Sequence, residues 1–289
     1  MPMSEENAVV SIRDLSCTYP GGVEALKQID LEVYRNQFVG IIGQNGAGKS
    51  TLLKFMIGLL KPRQGEVKVL GTDTRSITVS ELATKVGFGL QNPDFQSFAP
   101  TVREEVSFGL QNLGFHGEDM ENRVRTALEK VGLEEYIDTF PLMLSKGDRA
   151  KVVIASVLAM DPEVIILDEP TSGQDHKGNA QIMRIARTLL DEGKTIVVVT
   201  HNMGLIAKHA ERIIVLKQGE VFMDGTVRSV FSQPEKLLET HIKPPHITRL
   251  GNSLRDCVEC RETFLSVEEL GEAIVTNYSQ NRKSNLVMG

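Results

Sequence analysis

Residues 43–51, GQNGAGKST, constrain this chain more than any other stretch. They match the spacing G-x-x-x-x-G-K-[ST] as Gly43, Gly48, Lys49 and Ser50. They lie between an apolar strand-like run, FVGII, and a helix-like run, STLLKFMIGLL. A strand that turns through glycines into a helix can gather backbone N–H groups around an anion, because no Cβ stands in the way. The helix N-terminus adds positive potential at the same point. In such a turn Lys49 sets a cation against the β and γ phosphates of a nucleotide, and Ser50 offers its hydroxyl to Mg2+.

A nucleotide site of this kind needs acidic groups on a neighbouring strand. VIILDEP, residues 164–170, supplies them: a buried apolar run delivers Asp168 and Glu169 to its end. Two adjacent desolvated carboxylates are expensive without a counter-charge. Their chemistry suits Mg2+ support by Asp168 and polarisation of an attacking water by Glu169. A second apolar strand, TIVVVTH, ends at His201, which is placed to donate to the γ phosphate. Short strands of this kind are buried on both faces of a parallel sheet.

The remaining pattern is α/β with an antiparallel β portion at the start. VVSIRDLSCTY and IDLEVYRNQFVGIIG have β character, residues 101–140 and 176–192 read as helices, and RIIVLKQGEVFMDGT reads as a hairpin turning at Gln218-Gly219. Pro244-Pro245 breaks the chain before a tail of about forty residues, in which SVEELGEAI is helix-like. No apolar run approaches the ~18 residues that cross a bilayer, and the acidic N-terminus does not read as a signal peptide. The net charge of −6 argues against a nucleic-acid partner. Three cysteines suit a reduced, cytosolic protein, and the CxxC of Cys257 and Cys260 reads as incidental thiols rather than a metal site.

Taken in order, the motifs resemble those of the ATP-binding subunit of ABC transporters over residues 8–235. Tyr19, in CTYPGG, matches the aromatic that stacks on adenine. GQNGAGKS matches the Walker A loop, and Gln91 the Q-loop glutamine. LSKGD (144–148) occupies the signature position, VIILDEP matches Walker B, SGQD (172–175) the D-loop, and His201 the switch histidine. QNPDFQSFAPTVREEVSFG and IKPPHITRLG are similar to segments of the energy-coupling-factor (ECF) importer ATPases, the cobalt, nickel and vitamin group.

The resemblance implies a P-loop ABC-type ATPase domain over 8–240, with a helical subdomain at about 92–160, and a C-terminal extension, 241–289, with a possible dimerisation role. It implies catalysis by Glu169, His201 and Gln91, and ATP binding by Tyr19, Gly43, Asn45, Gly46, Ala47, Gly48, Lys49, Ser50, Thr51, Ser145, Gly147 and Asp175. Mg2+ falls to Ser50, Gln91 and Asp168. It also implies head-to-tail pairing with a second ABC ATPase subunit, identical or related. Ser145 and Gly147 of one copy then meet the γ phosphate held by the other, and Asp175 reaches across. The expected setting is the cytoplasmic face of the cell membrane. The expected partners there are a transmembrane coupling protein, docked on 92–109, and a substrate-binding membrane protein. A conventional ABC importer or exporter ATPase is the alternative, and a soluble non-transport ABC ATPase a further one.

The signature departs from the usual Leu-Ser-Gly-Gly-Gln at Lys146 and Asp148. Ser145-x-x-Asp148 has capping-box spacing, so Asp148 is expected to accept from the Ser145 backbone N–H. Lys146, Arg149 and Lys151 are expected to offset its charge and keep the site working; a weakened or silent site is the alternative.

Overall fold

A computed structural model describes residues 7–90, 98–254 and 263–287. Two sheets organise the chain from Ala8 to Thr226. β1 (Ala8–Thr18) and β2 (Glu24–Tyr34) pair antiparallel, and β4 (Gln64–Val69) and β5 (Thr72–Asp73) extend that sheet in the order β2-β1-β4-β5. The run IDLEVYRNQFVGIIG, read as one β stretch, is divided between the sheets. A turn at Arg35–Gln37, with Asn36 at φ 55°, ends β2 and lets β3 (Phe38–Gly43) enter the second sheet. Asn36 tolerates that left-handed backbone better than most residues.

The second sheet is six-stranded, β10-β9-β3-β8-β7-β6, built from β6 (Val86–Gly89), β7 (Val164–Asp168), β8 (Thr195–Val199), β9 (Arg212–Lys217) and β10 (Glu220–Thr226). β9, β3, β8, β7 and β6 run parallel, and β10 closes the predicted hairpin antiparallel. Every residue of β3 and β8 is buried. This is why these strands read as unbroken apolar runs.

Side-chain alternation then splits the core. Val39, Ile41, Val197 and Val199 face the antiparallel sheet and α1 (Lys49–Met56), with Ile12, Leu26 and Leu52. Phe38, Ile165, Leu167, Ile196 and Val198 face the other way, onto α3 (Val102–Asn112), α4 (Gly117–Val131), α5 (Lys146–Ala159) and α6 (His176–Asp191). The predicted apolar face of α4, Val124, Leu128 and Val131, is buried there. A short α2 (Val79–Ala83) precedes β6.

A third apolar cluster joins Ile42, Ile213 and Val215 to α7 (Met203–His209), α8 (Val227–Phe231) and α9 (Pro234–Leu238). Ile242 and Leu265 of the C-terminal segment pack on this cluster. α10 (His246–Ser253) starts directly after Pro245, and α11 (Val267–Val287) follows. Arg228 binds the Thr263 carbonyl and pairs with Glu269 at 2.8 Å, tying α8 to the start of α11. Among the described residues no helix is long and apolar enough to cross a membrane.

Candidate functional site

β3 ends at Gly43 and the chain reaches α1 through Gly46 (φ 81°) and Gly48 (φ 102°). Gly48 caps α1 in a left-handed conformation; a Cβ there would lie 2.6 Å from the Ala25 carbonyl oxygen and 2.8 Å from Leu26 Cδ2. Backbone and neighbours therefore both require glycine. Lys49, the first residue of the helix, is only 8% exposed. Its Nζ donates to the carbonyls of Gly43 at 2.7 Å and Gln44 at 2.9 Å. Burial pushes its pKa down, while Glu169 and Asp168 pull it back up.

β8 lies between β3 and β7, and its parallel pairing sets Val199 level with Ile41 on one side and Asp168 on the other. The register therefore delivers the phosphate loop, the paired carboxylates and His201 to the same, C-terminal, edge of the sheet, where ligands bind in open α/β folds. Glu169 is buried, has a left-handed φ of 49° and donates its N–H to the Val199 carbonyl at 2.8 Å. Its Oε2 accepts from the His201 backbone N–H at 3.4 Å, and its Oε1 lies 3.1 Å from His201 Nε2 without hydrogen-bond geometry. Burial pushes both carboxyls above their ordinary range, opposed at Asp168 by Lys49 and at Glu169 by His201.

These groups open onto one cavity of about 350 Å³, lined by Tyr19, Asn45, Gly46, Gly48, Lys49, Ser50, Thr51, Asp168, Glu169 and His201. Tyr19 is held at its rim by a 3.3 Å hydrogen bond between its hydroxyl and Thr51 Oγ1. Gly43 and Ala47 shape the loop from behind: the Gly43 carbonyl accepts from Lys49, and the Ala47 carbonyl accepts from Gly219 at 3.1 Å. Gln91 lies outside the described residues, as do Cys257, Cys260 and residues 92–97.

Ser145, Gly147 and Asp175 do not line this cavity. They form a second group, at the start of α5 and α6. Ser145 caps α5 by accepting from the Asp148 N–H at 3.1 Å, and its hydroxyl donates to Asp148 Oδ2 at 2.7 Å. The expected bond from the Ser145 backbone N–H is not the one formed; the nearer Ser145 hydroxyl takes the carboxylate. Of the three expected cations Lys151 pairs with Asp148, at 3.0 Å, and Arg149 donates to the Leu144 carbonyl at 2.7 Å. Burial raises the Asp148 pKa, but the Ser145 hydroxyl and Lys151 outweigh it and hold the carboxyl below its ordinary range. Asp175 caps α6 through the Gly178 N–H at 2.7 Å.

Two features were not anticipated. Glu105 is buried and its Oε2 accepts from the N–H groups of Phe98 and Ala99, both at 2.9 Å, fixing the chain that enters α3. The acidic pair of VREEV was its only signal. Behind Glu169 and His201, Lys243, Pro245, His246 and Leu250 wall a cleft of about 1130 Å³. The tail thus borders Glu169 and His201, which no local pattern announced.

A family model described as ABC transporter matches residues 26–172. A putative ABC transporter ATP-binding protein of Caldanaerobacter subterraneus subsp. tengcongensis is 41% identical over 264 residues, 91% of this chain; the chain spans only 45% of that relative's length. The energy-coupling factor transporter ATP-binding protein EcfA of Methanoculleus marisnigri is 42% identical over 273 residues, covering 94% of this chain and 99% of its own. Among solved structures, cbiO1 from Clostridium perfringens, part of the ABC transporter complex cbiONQ, superposes with a TM-score of 0.75 at 32% identity, over 86% of this chain and 99% of that one. Motif order, sheet order and these likenesses agree, and the chain belongs to the family of ABC transporter ATP-binding proteins.

Proposed function

We propose that this chain is the ATP-hydrolysing subunit of an ECF-type ABC importer for a metal ion or vitamin, peripheral to the cytoplasmic face of the membrane. The observation that carries this is the convergence of Lys49, Ser50, Asp168, Glu169, His201 and Tyr19 on one cavity. The likeness to an EcfA protein and to cbiO1 supports the ECF assignment.

The residues present fit Mg2+. Asp168 and the Ser50 hydroxyl are the hard oxygen donors that this ion takes. The two desolvated carboxylates, with Glu169 Oε1 lacking a hydrogen-bond donor, leave the pocket in need of positive charge. Bound there, Mg2+ would supply charge neutralisation to the β and γ phosphates. Phosphoryl transfer to water rests on positioning and electrostatics. Lys49 exchanges its two carbonyl partners for phosphate oxygens, and the glycine turn directs N–H groups at them. Glu169 orients and deprotonates the attacking water, its burial making the carboxylate a stronger base than an exposed one. His201 holds the γ phosphate. Tyr19 stacks on the adenine.

Ser145, Gly147 and Asp175 serve a second subunit. Standing apart from their own cavity, they complete the site of an identical or related copy placed head to tail. The extension, 241–289, supports pairing of the subunits: Val275 and Tyr278 of α11 are 65% and 68% exposed. For the membrane partner, an apolar groove of about 340 Å³ runs between Leu59, Val79, Phe88, Phe98, Phe108 and Met160. It overlaps the described part of the 92–109 docking surface and suits a short amphipathic coupling helix.

The decisive variant is Glu169→Gln. Hydrolysis is expected to fall by about 10²-fold or more, the usual loss for an oriented base, while ATP binding persists and a nucleotide-bound dimer accumulates in light scattering. Turnover near the wild-type rate would remove Glu169 from this role. Lys49→Ala is expected to lose ATP binding itself.

A further inference from the structure

Two long side chains cross between the signature turn and the 171–175 loop. Lys146 opens α5 and lays its side chain over Gly173. A Cβ on Gly173 would sit 3.1 Å from Lys146 Cε, 3.6 Å from its Cδ, and would overlap Nζ. In return Gln174 runs back over the signature glycine. Its Nε2 donates to the Lys146 carbonyl at 3.2 Å, and its Oε1 would lie 3.0 Å from a Cβ on Gly147. Each loop thus holds a glycine where the other loop's side chain lies.

Helix stability does not account for Lys146. A cation at the first helical position faces the positive end of the helix dipole, which is unfavourable. Asp148, the nearby carboxylate, spends its oxygens on the Ser145 hydroxyl and Lys151. Lys146 is exposed, and what its side chain touches is the 171–175 loop.

We infer that Lys146 and Gln174 are positioning residues that lock the signature turn to the 171–175 loop within one subunit. Ser145 and Gly147 then approach the partner's nucleotide together with Asp175, as one rigid unit. This rests on the dimeric ATPase reading above. It gives the altered signature a purpose: the lysine replaces a residue with no side chain by one long enough to reach Gly173. The aliphatic stem does the holding, so the ammonium charge is dispensable.

The test uses the ATPase complex purified through a tag on the full chain. Wild type is compared with Lys146→Ala, Gln174→Ala, the double variant and Lys146→Met, with kcat and KM for ATP and the Tm measured for each. ATP-driven dimerisation is measured in parallel in a Glu169→Gln background. Each alanine variant is expected to lower kcat by about fivefold, a loss typical for one member of a contacting pair. KM and Tm stay near wild type and dimerisation weakens. The double variant falls no further than the worse single, and Lys146→Met restores most of the loss.

Multiplying losses in the double variant would overturn the lock, since the two residues would then act independently. A methionine variant as impaired as alanine would also overturn it, by making the charge the active part. A fall in Tm that tracks the loss of kcat would reduce the contact to a structural one. Wild-type complex that neither hydrolyses ATP nor dimerises as Glu169→Gln would instead sink the functional reading beneath it. A hydrolysing wild type with unaffected variants would sink the lock alone.

Discussion

Glu169 occupies a place that is costly for its residue type. It is buried, its backbone is left-handed and its Oε1 has no hydrogen-bond donor. Such strain survives where the surroundings over-determine it, and it clusters at working sites. Asp148 is the opposite case, a carboxylate stabilised by its partners. Its pKa is held below the ordinary range, so its contribution to stability is fully present above the unfolded value, ~3.9. That contribution is lost as pH falls through the folded value. Asp148→Asn is therefore expected to be less stable than wild type at pH 7, with the two denaturation midpoints converging as the pH falls below the ordinary carboxylate range. Gly48→Ala, which must place its methyl 2.6 Å from the Ala25 carbonyl in a left-handed turn, is expected to lower Tm and abolish nucleotide binding. Lys49, Ser50, Asp168, Glu169 and His201 were legible because each stands at a fixed step from a strand end or glycine turn. Glu105, and the contacts of Lys146 and Gln174, were not. Glu105 acquires its role only where the chain at Phe98 and Ala99 turns back over it, and Lys146 and Gln174 only where two loops far apart in the chain meet.

Among the elements, those with a strong period were readable and those without were not. α4 carries its apolar stripe at helical spacing, and burying it packs α4 against α3 and α5. Leu128→Ala is expected to cost roughly 2–5 kcal/mol in chemical denaturation, the range for deleting a large core side chain. β6 escaped notice because Val86–Gly89 contains two glycines and only four residues. It is a strand by virtue of its parallel pairing with Val164–Leu167 rather than its own propensity. The division between β2 and β3 was hidden for a related reason: a three-residue turn in an otherwise β-like run changes sheets without interrupting the composition. The groove beside β6 is an element-scale feature too, since Phe98 and Phe108 meet edge to face at 4.8 Å on its lip. Phe108→Asp is expected to keep its Tm, because this ring is 47% exposed, yet to lose co-purification with the proposed membrane partner from detergent extracts.

At the scale of the whole molecule, the C-terminal segment does not hang from the two-sheet body as an independent tail. Ile242 and Leu265 pack on the cluster beneath α7 and α8, Arg228 holds the start of α11, and His241 contacts Gln44 of the phosphate loop. Pro244-Pro245 marked a break in secondary structure, and the sequence around it carried no sign that packing continues across it. The parallel register has a further consequence, for change over generations. Ile41, Val199 and Asp168 stand abreast across three strands that are far apart in the chain. A one-codon insertion within β7 would carry its carboxylates ~3.3 Å along the strand and turn them to the other side of the sheet. An insertion or deletion in any of these three short runs would break the alignment of the site, whereas one in the loops between them would leave it standing.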